Sequence, residues 1–186
     1  VTGFDDIKMT LFSAEHSDMA QPPLTDGLVQ DAEDSLGVKL PSALLEILRV
    51  QNGGPVSSRW DAFPTSMPNS WSESHVAFEG LMGIGRREDR QSLFDTSYLV
   101  GEWGLPSAIV LLCGDGHCWI ALDYRDCGPD GELSVTWFDT ELNSELVVAT
   151  DFRTFIERLA PASTFDSDID PSPEDAHRTL PPQGPC

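Results

Sequence analysis

Between residues 109 and 139 the apolar positions fall into three short runs, Ile109–Cys113, Cys118–Asp123 and Ser134–Asp139, each set off by turn-forming residues. Gly114-Asp115-Gly116 tolerates positive φ, so the chain can reverse there. Cys127-Gly128-Pro129-Asp130-Gly131 punctuates the second gap, and Ser134–Asp139 alternates apolar with polar positions. Three strands joined in this way predict an antiparallel meander. Helical periodicity before and after it predicts an α+β fold.

The helical signals are local and capped. Leu28, Ala32 and Leu36, with Val29, form one stripe after the capping residue Thr25, and Gly37 stands where a left-handed C-cap belongs. Pro41 and Ser42 open a second helix to about Val50, with Leu44, Leu45, Ile47 and Leu48 apolar, and Asn52-Gly53-Gly54-Pro55 ends it. Residues 55–75 read as a loop in which Trp60, Phe63 and Trp71 are scattered. His75–Ile84 carries a strand signal interrupted at Gly80. Arg86–Tyr98 reads as a polar helix or irregular crossing with Leu93, Phe94 and Tyr98 inward, and Gly101–Pro106 as a turn. Val147–Ala149 suggests a further short strand. Thr150 or Asp151 caps a last helix whose core face is Phe152, Phe155, Ile156 and Leu159, stopped by Pro161. Residues 1–23 read as an arm outside the core, residues 24–160 as the folded domain, and residues 161–186 as a Pro-, Ser- and Asp-rich disordered tail.

At 186 residues the chain suffices for one domain with a substantial core. Its net charge is −20. Setting aside the four acids and one base of residues 1–24 and the five and one of residues 161–186 leaves 22 acids against 9 bases in the body. The body itself is acidic, which tells against nucleic-acid and anionic-membrane partners and favours basic ones. No apolar run reaches the ~18 residues of a spanning helix, and no basic-then-apolar leader opens the chain, so a cytoplasmic location is the expectation. Cys113 and Cys118 flank the tight turn; a cross-strand bridge is conceivable there, and reduced thiols are expected in a reducing compartment.

The order of the motifs resembles the SUKH superfamily, whose founding members are fungal cell-wall regulators of the Smi/Knr type. The resemblance rests on LGVKLPSALLEILRVQNGG (Leu36–Gly54), the Gly83-Ile84 step, Glu102-Trp103-Gly104-Leu105-Pro106, the Gly114–Thr140 meander with Leu122-Asp123-Tyr124-Arg125, and the aromatic final helix. It runs from about Leu24 to Leu159. It implies a mainly antiparallel sheet of about four to six strands with helices packed against it. It also implies a function: bacterial members resemble immunity proteins that bind and neutralise a cognate toxin, often a nuclease or deaminase, while others act as intracellular regulators or scaffolds. The family supplies no shared catalytic residues.

The chemistry-bearing residues support no enzyme. Asp115, His117, Asp123, Asp126 and Asp130 crowd the meander, yet alternation along a strand keeps neighbours on opposite faces, and turn preference explains Asp115 and Asp130. Asp166–Asp170 imitates a calcium loop, but Pro171 replaces its glycine and His177 its terminal Glu. No Ser, Cys or His stands in a nucleophile motif. The expectation is therefore no catalytic residue, no cofactor and no metal. Asp123 and Arg125 share one face and suit a structural ion pair, with Tyr124 in the core. Trp119, Trp137 and Phe138 place aromatics on both sheet faces, one of which is expected to be partly open. A protein toxin with a basic surface is the expected partner, met by aromatic anchors and carboxylates. The candidate contact residues are Trp60, Asp61, Trp71 and Glu73 of the long loop, with Asp139 and Glu141 after the third strand.

Overall fold

A computed structural model describes residues 3–165. Its centre is a four-stranded antiparallel sheet in the order β5 (Ile109–Gly114), β6 (Cys118–Asp123), β7 (Ser134–Asp139) and β8 (Ser144–Ala149). The meander is as predicted, and β8 is longer than its apolar residues alone suggested. Cys118 pairs with Asp139, and Asp123 with Ser134, across β6 and β7. A bulge between Leu111 and Cys113 shifts the β5–β6 register. Two small ribbons accompany the sheet: β1 (Gly54–Pro55) with β4 (Gly80–Leu81), and β2 (Ala62–Pro64) with β3 (His75–Ala77). The strand signal at His75–Ile84 is thus divided between two ribbons, and the long loop contains β2. The whole is α+β.

Helices α2 (Asp26–Leu36) and α3 (Ser42–Val50) begin and end where expected. Thr25 Oγ1 accepts from Leu28 N at 3.2 Å, and Gly37 closes α2 at φ 70°. Asp151 Oδ1 accepts from Thr154 N at 2.8 Å to start α5 (Phe152–Glu157). Phe155 stacks on Phe63 at 5.1 Å and meets Phe78 edge-on at 5.0 Å, forming an aromatic knot between α5 and the β2–β3 ribbon. Helix α4 (Thr96–Trp103) absorbs Gly101, Glu102 and Trp103, and Gly104 (φ 64°) terminates it. The predicted turn therefore starts three residues late, because the C-cap is Gly104. Tyr98 lies outward on this helix, 66 % exposed, contrary to the inward reading, while Leu93 and Leu99 are buried.

The N-terminal arm requires correction. Helix α1 (Phe4–Thr10) packs against α3 and α5, and Phe4, Ile7 and Leu11 are buried in the main core. Three apolar residues at helical spacing suffice to dock it; shortness and acidic neighbours hid the stripe. The reading of residues 161–186 as a disordered tail lies, beyond residue 165, outside the described residues.

The segments behind the family resemblance clasp one another. Asn52 Nδ2 donates to Ile84 O at 2.8 Å and to Pro22 O at 2.6 Å, and its Oδ1 accepts from Ile84 N at 2.8 Å. Gly53 (φ 85°) and Gly83 lie so close that a Cβ on Gly53 would stand 2.4 Å from Gly83 N, and one on Gly83 would stand 2.2 Å from Asn52 O. Tyr124 donates its hydroxyl proton to Lys39 O at 2.7 Å, linking the end of β6 to the α2–α3 connection. Burial raises the Tyr124 pKa, so it remains a neutral donor. These motifs hold the fold together.

Candidate functional site

The sheet offers no open aromatic face: Trp119, Trp137 and Phe138 are all buried. Two polar members of β7, Thr136 and Asp139, are also inside, Thr136 donating to Asp123 Oδ2 at 3.1 Å. Asp123 is also gripped by Arg125 at 2.6 to 3.1 Å, and Arg125 reaches on to Glu145 at 3.0 and 3.1 Å. Burial, the largest influence on Asp123, pushes its pKa upward, but the hydrogen bonds from Arg125 and Thr136 outweigh it and hold the carboxylate below its ordinary range. The expected ion pair is present.

What does open to solvent is a groove of about 600 Å³ where β3 and the 65–74 loop lie over the start of β6 and the end of β5. Trp71, His75, Cys118, Ile120 and Trp137 line it, with Glu79 and Asp115 as its carboxylates and no Lys or Arg among the described residues. Trp71 is 68 % exposed. Of the five tryptophans, Trp60, Trp119 and Trp137 are buried and Trp103 is 40 % exposed, so Trp71 is the most solvent-exposed indole of the protein.

The loop that presents Trp71 is fastened at several points. Asn69 Oδ1 accepts from Trp71 N and Ser72 N, both at 2.9 Å, and Asn69 Nδ2 donates to His75 O at 2.8 Å. His75 stacks on Phe165 with ring centres 4.7 Å apart. Ser70 Oγ donates to Asp139 Oδ2, while Asp139 Oδ1 accepts from Glu141 N at 2.8 Å and Leu142 N at 2.9 Å. The Ser70 hydrogen bond, followed by that from Leu142 N, holds the Asp139 carboxyl below its ordinary range. One buried carboxylate thus ties the Trp71 loop to the β7–β8 turn.

On the opposite lip Asp115 Oδ1 accepts from His117 N and Cys118 N at 2.8 Å each. Burial raises the Asp115 pKa most, yet these bonds prevail and keep it ionised. His117 Nδ1 lies 2.8 Å from Glu141 Oε1, so Glu141 stands beside this turn. Burial, aided by Asp139 and Asp115, pushes Cys118 up to about 11, and burial pushes Cys113 up to about 12. Both are free thiols and poor nucleophiles. Among the described residues no three His, Cys, Asp or Glu side chains gather to hold a metal.

The six candidate contact residues separate cleanly. Trp60 is 8 % exposed, and its Nε1 donates to Thr10 Oγ1 at 3.2 Å; it is a core residue, not an anchor. Asp61 accepts from Ala162 N at 2.7 Å and fastens the chain beyond α5. Neither lines the groove. Asp139, 4 % exposed, acts behind the surface. Trp71, Glu73 and Glu141 are exposed on or beside the groove. Sequence reasoning missed His75, Glu79 and Asp115 as its walls; the Gly80 break in the strand signal was the clue that the segment divides between β3 and β4.

A model of the SMI1 / KNR4 family (SUKH-1) matches residues 23–158. The match covers most of the chain, which therefore belongs to that family. No curated protein matches the chain.

Proposed function

We propose that this SUKH-1 chain is an immunity-type binding protein: it covers the basic working surface of a cognate toxin, a nuclease or deaminase, and has no chemistry of its own. The observation that carries this reading is Trp71, an exposed indole held on a fastened loop beside a groove whose charged walls, among the described residues, are carboxylates. Trp is one of the residue types enriched at interface hot spots, and carboxylates around it suit the Lys and Arg with which a nuclease holds phosphate. A net charge of −20 speeds encounter with such a surface. The neutral thiols in the groove support occlusion over covalent catalysis.

The test mixes the purified chain with the toxin candidate encoded beside its gene. Stoichiometric inhibition is expected, with association slowing as salt rises. Trp71→Ala should weaken binding about thirtyfold or more, the loss of one hot-spot side chain. Inhibition that ignores both salt and Trp71 would sink the proposal.

A further inference from the structure

A second cavity, of about 360 Å³, adjoins the groove and shares Glu79, Gly80, Cys113 and Gly114 with it. Two side chains lining it carry buried N–H donors with no acceptor among the described residues, Gln21 Nε2 and Arg90 Nε. Gln21 is 6 % exposed, and its other end is engaged: Oε1 accepts from Arg87 N at 3.3 Å. Its main-chain N–H donates to Asn52 O at 2.9 Å, so the residue is anchored on both sides of the unused amide. Arg90 Nε stands 3.6 Å from Asp89 Oδ2, beyond a hydrogen bond, because Asp89 is held by Arg87 at 3.0 and 2.9 Å. In a chain with 31 acidic residues, a guanidinium N–H and an amide N–H without a hydrogen-bond acceptor among the described residues are an anomaly.

We propose that this cavity binds a carboxylate group, with Arg90 and Gln21 donating to its oxygens. A guanidinium beside an amide N–H suits the two oxygens of one carboxylate. Glu79 and Asp89 also line the cavity, and Asp89 is already paired with Arg87, so a singly charged carboxylate suits the lining better than a doubly charged phosphate. Gly53 and Gly83 also line the cavity, and Met19, Leu81 and Met82 supply apolar contact for whatever carries the carboxylate. Its size falls within the range of small-molecule sites, roughly 300–1,000 Å³. The carboxylate could belong to a free amino acid or to an acidic side chain of a bound protein.

The experiment uses the full chain labelled with ¹⁵N and follows the Gln21 side-chain amide and the Arg90 Nε–H. One titration uses L-alanine, which offers an α-carboxylate with its ammonium. Another uses N-acetyl-L-glutamic acid α-amide, which offers only a side-chain carboxylate. Ionic strength is held constant with sodium chloride. One of the two should shift both resonances to saturation: alanine identifies a free amino acid, the blocked glutamate an acidic side chain. Arg90→Gln and Gln21→Glu should each weaken that binding about 10- to 100-fold with the fold retained by circular dichroism. Shifts that never saturate with either probe, as expected if water alone meets the two donors, overturn the proposal. So does binding that both variants leave unchanged. Because no toxin is involved, the outcome here and that of the groove experiment are independent.

Discussion

Replacing Asn52 is the sharpest probe of how this fold is held. The side chain is 3 % exposed and makes three hydrogen bonds, two of them to the N–H and C=O of Ile84 and one to Pro22 O. Asn52→Ala strands both polar groups of a residue that is itself fully buried. Each orphaned group costs about 1–3 kcal/mol, whereas Pro22 O is exposed and regains water. The expected loss is about 3–5 kcal/mol, a large share of the roughly 5–15 kcal/mol that holds a domain together. Urea unfolding followed by tryptophan fluorescence should show a midpoint lower by about 2 M, taking a slope of about 2 kcal/mol per M. Asn52→Asp separates hydrogen bonding from packing. The introduced carboxylate keeps the acceptor for Ile84 N but turns a negative oxygen toward two carbonyls, so its folded-state pKa is raised. A raised pKa means stability fully present below the ordinary carboxylate value and lost as pH rises through the folded-state value. The Asp variant should therefore approach the wild type near pH 4 and fall away at pH 7. If Asn52→Ala stays within about 1 kcal/mol of wild type, or the Asp variant ignores pH, the clasp argument fails.

Other outcomes follow from the same contacts. Trp60→Ala should destabilise by about 3–5 kcal/mol and Trp71→Ala by less than about 0.5 kcal/mol, as denaturant titration will report; equal losses would contradict their assignment to core and surface. Asp139 has a depressed pKa, so its contribution is present above the ordinary carboxylate value of about 3.9 and lost as pH falls through the lower folded-state value. Asp139→Asn should flatten the acid limb of stability against pH relative to wild type, and a limb of unchanged slope would refute the tie to Ser70. Native Cys113 and Cys118, pushed up to about 12 and 11, should react with iodoacetamide at pH 8 far more slowly than in urea, as peptide mapping by mass spectrometry will show. Native labelling as fast as unfolded labelling would contradict the thiol state.

The meander, both capped N-terminal helices and the aromatic final helix were legible because each announces itself locally, through periodicity within a few residues and a cap or turn at its end. Thr25, Gly37 and Asp151 all do in the structure what their residue types predict. Where the reading failed, the deciding partner was distant in sequence. Helix α1 is too short to show its stripe against background, and it becomes core because α3 and α5 lie 30 or more residues on and offer a place for Phe4 and Ile7. Trp60 and Trp71 look alike in sequence, set among Pro, Ser and Asn. What separates them is a hydrogen-bond partner for one indole, Thr10, which lies 50 positions away.

The family motifs carry a further lesson about where function can reside. Asn52-Gly53 touches Gly83-Ile84, and the Leu122–Arg125 segment reaches the α2–α3 connection through Tyr124. Side chains and bare backbone at these points are committed to each other, and a substitution there perturbs the scaffold before it can alter recognition. Trp71, Glu73, Glu79, Asp115 and Glu141 have a different character. They lie on loops, turns or strand ends at the protein surface, while Asn69 and Asp139 hold the geometry from behind. A fold divided in this way can keep its clasps fixed and change its partner by exchanging a few exposed residues around one groove. On the proposed binding role, specificity would be a matter of which anchor the 65–74 loop presents and which charges surround it.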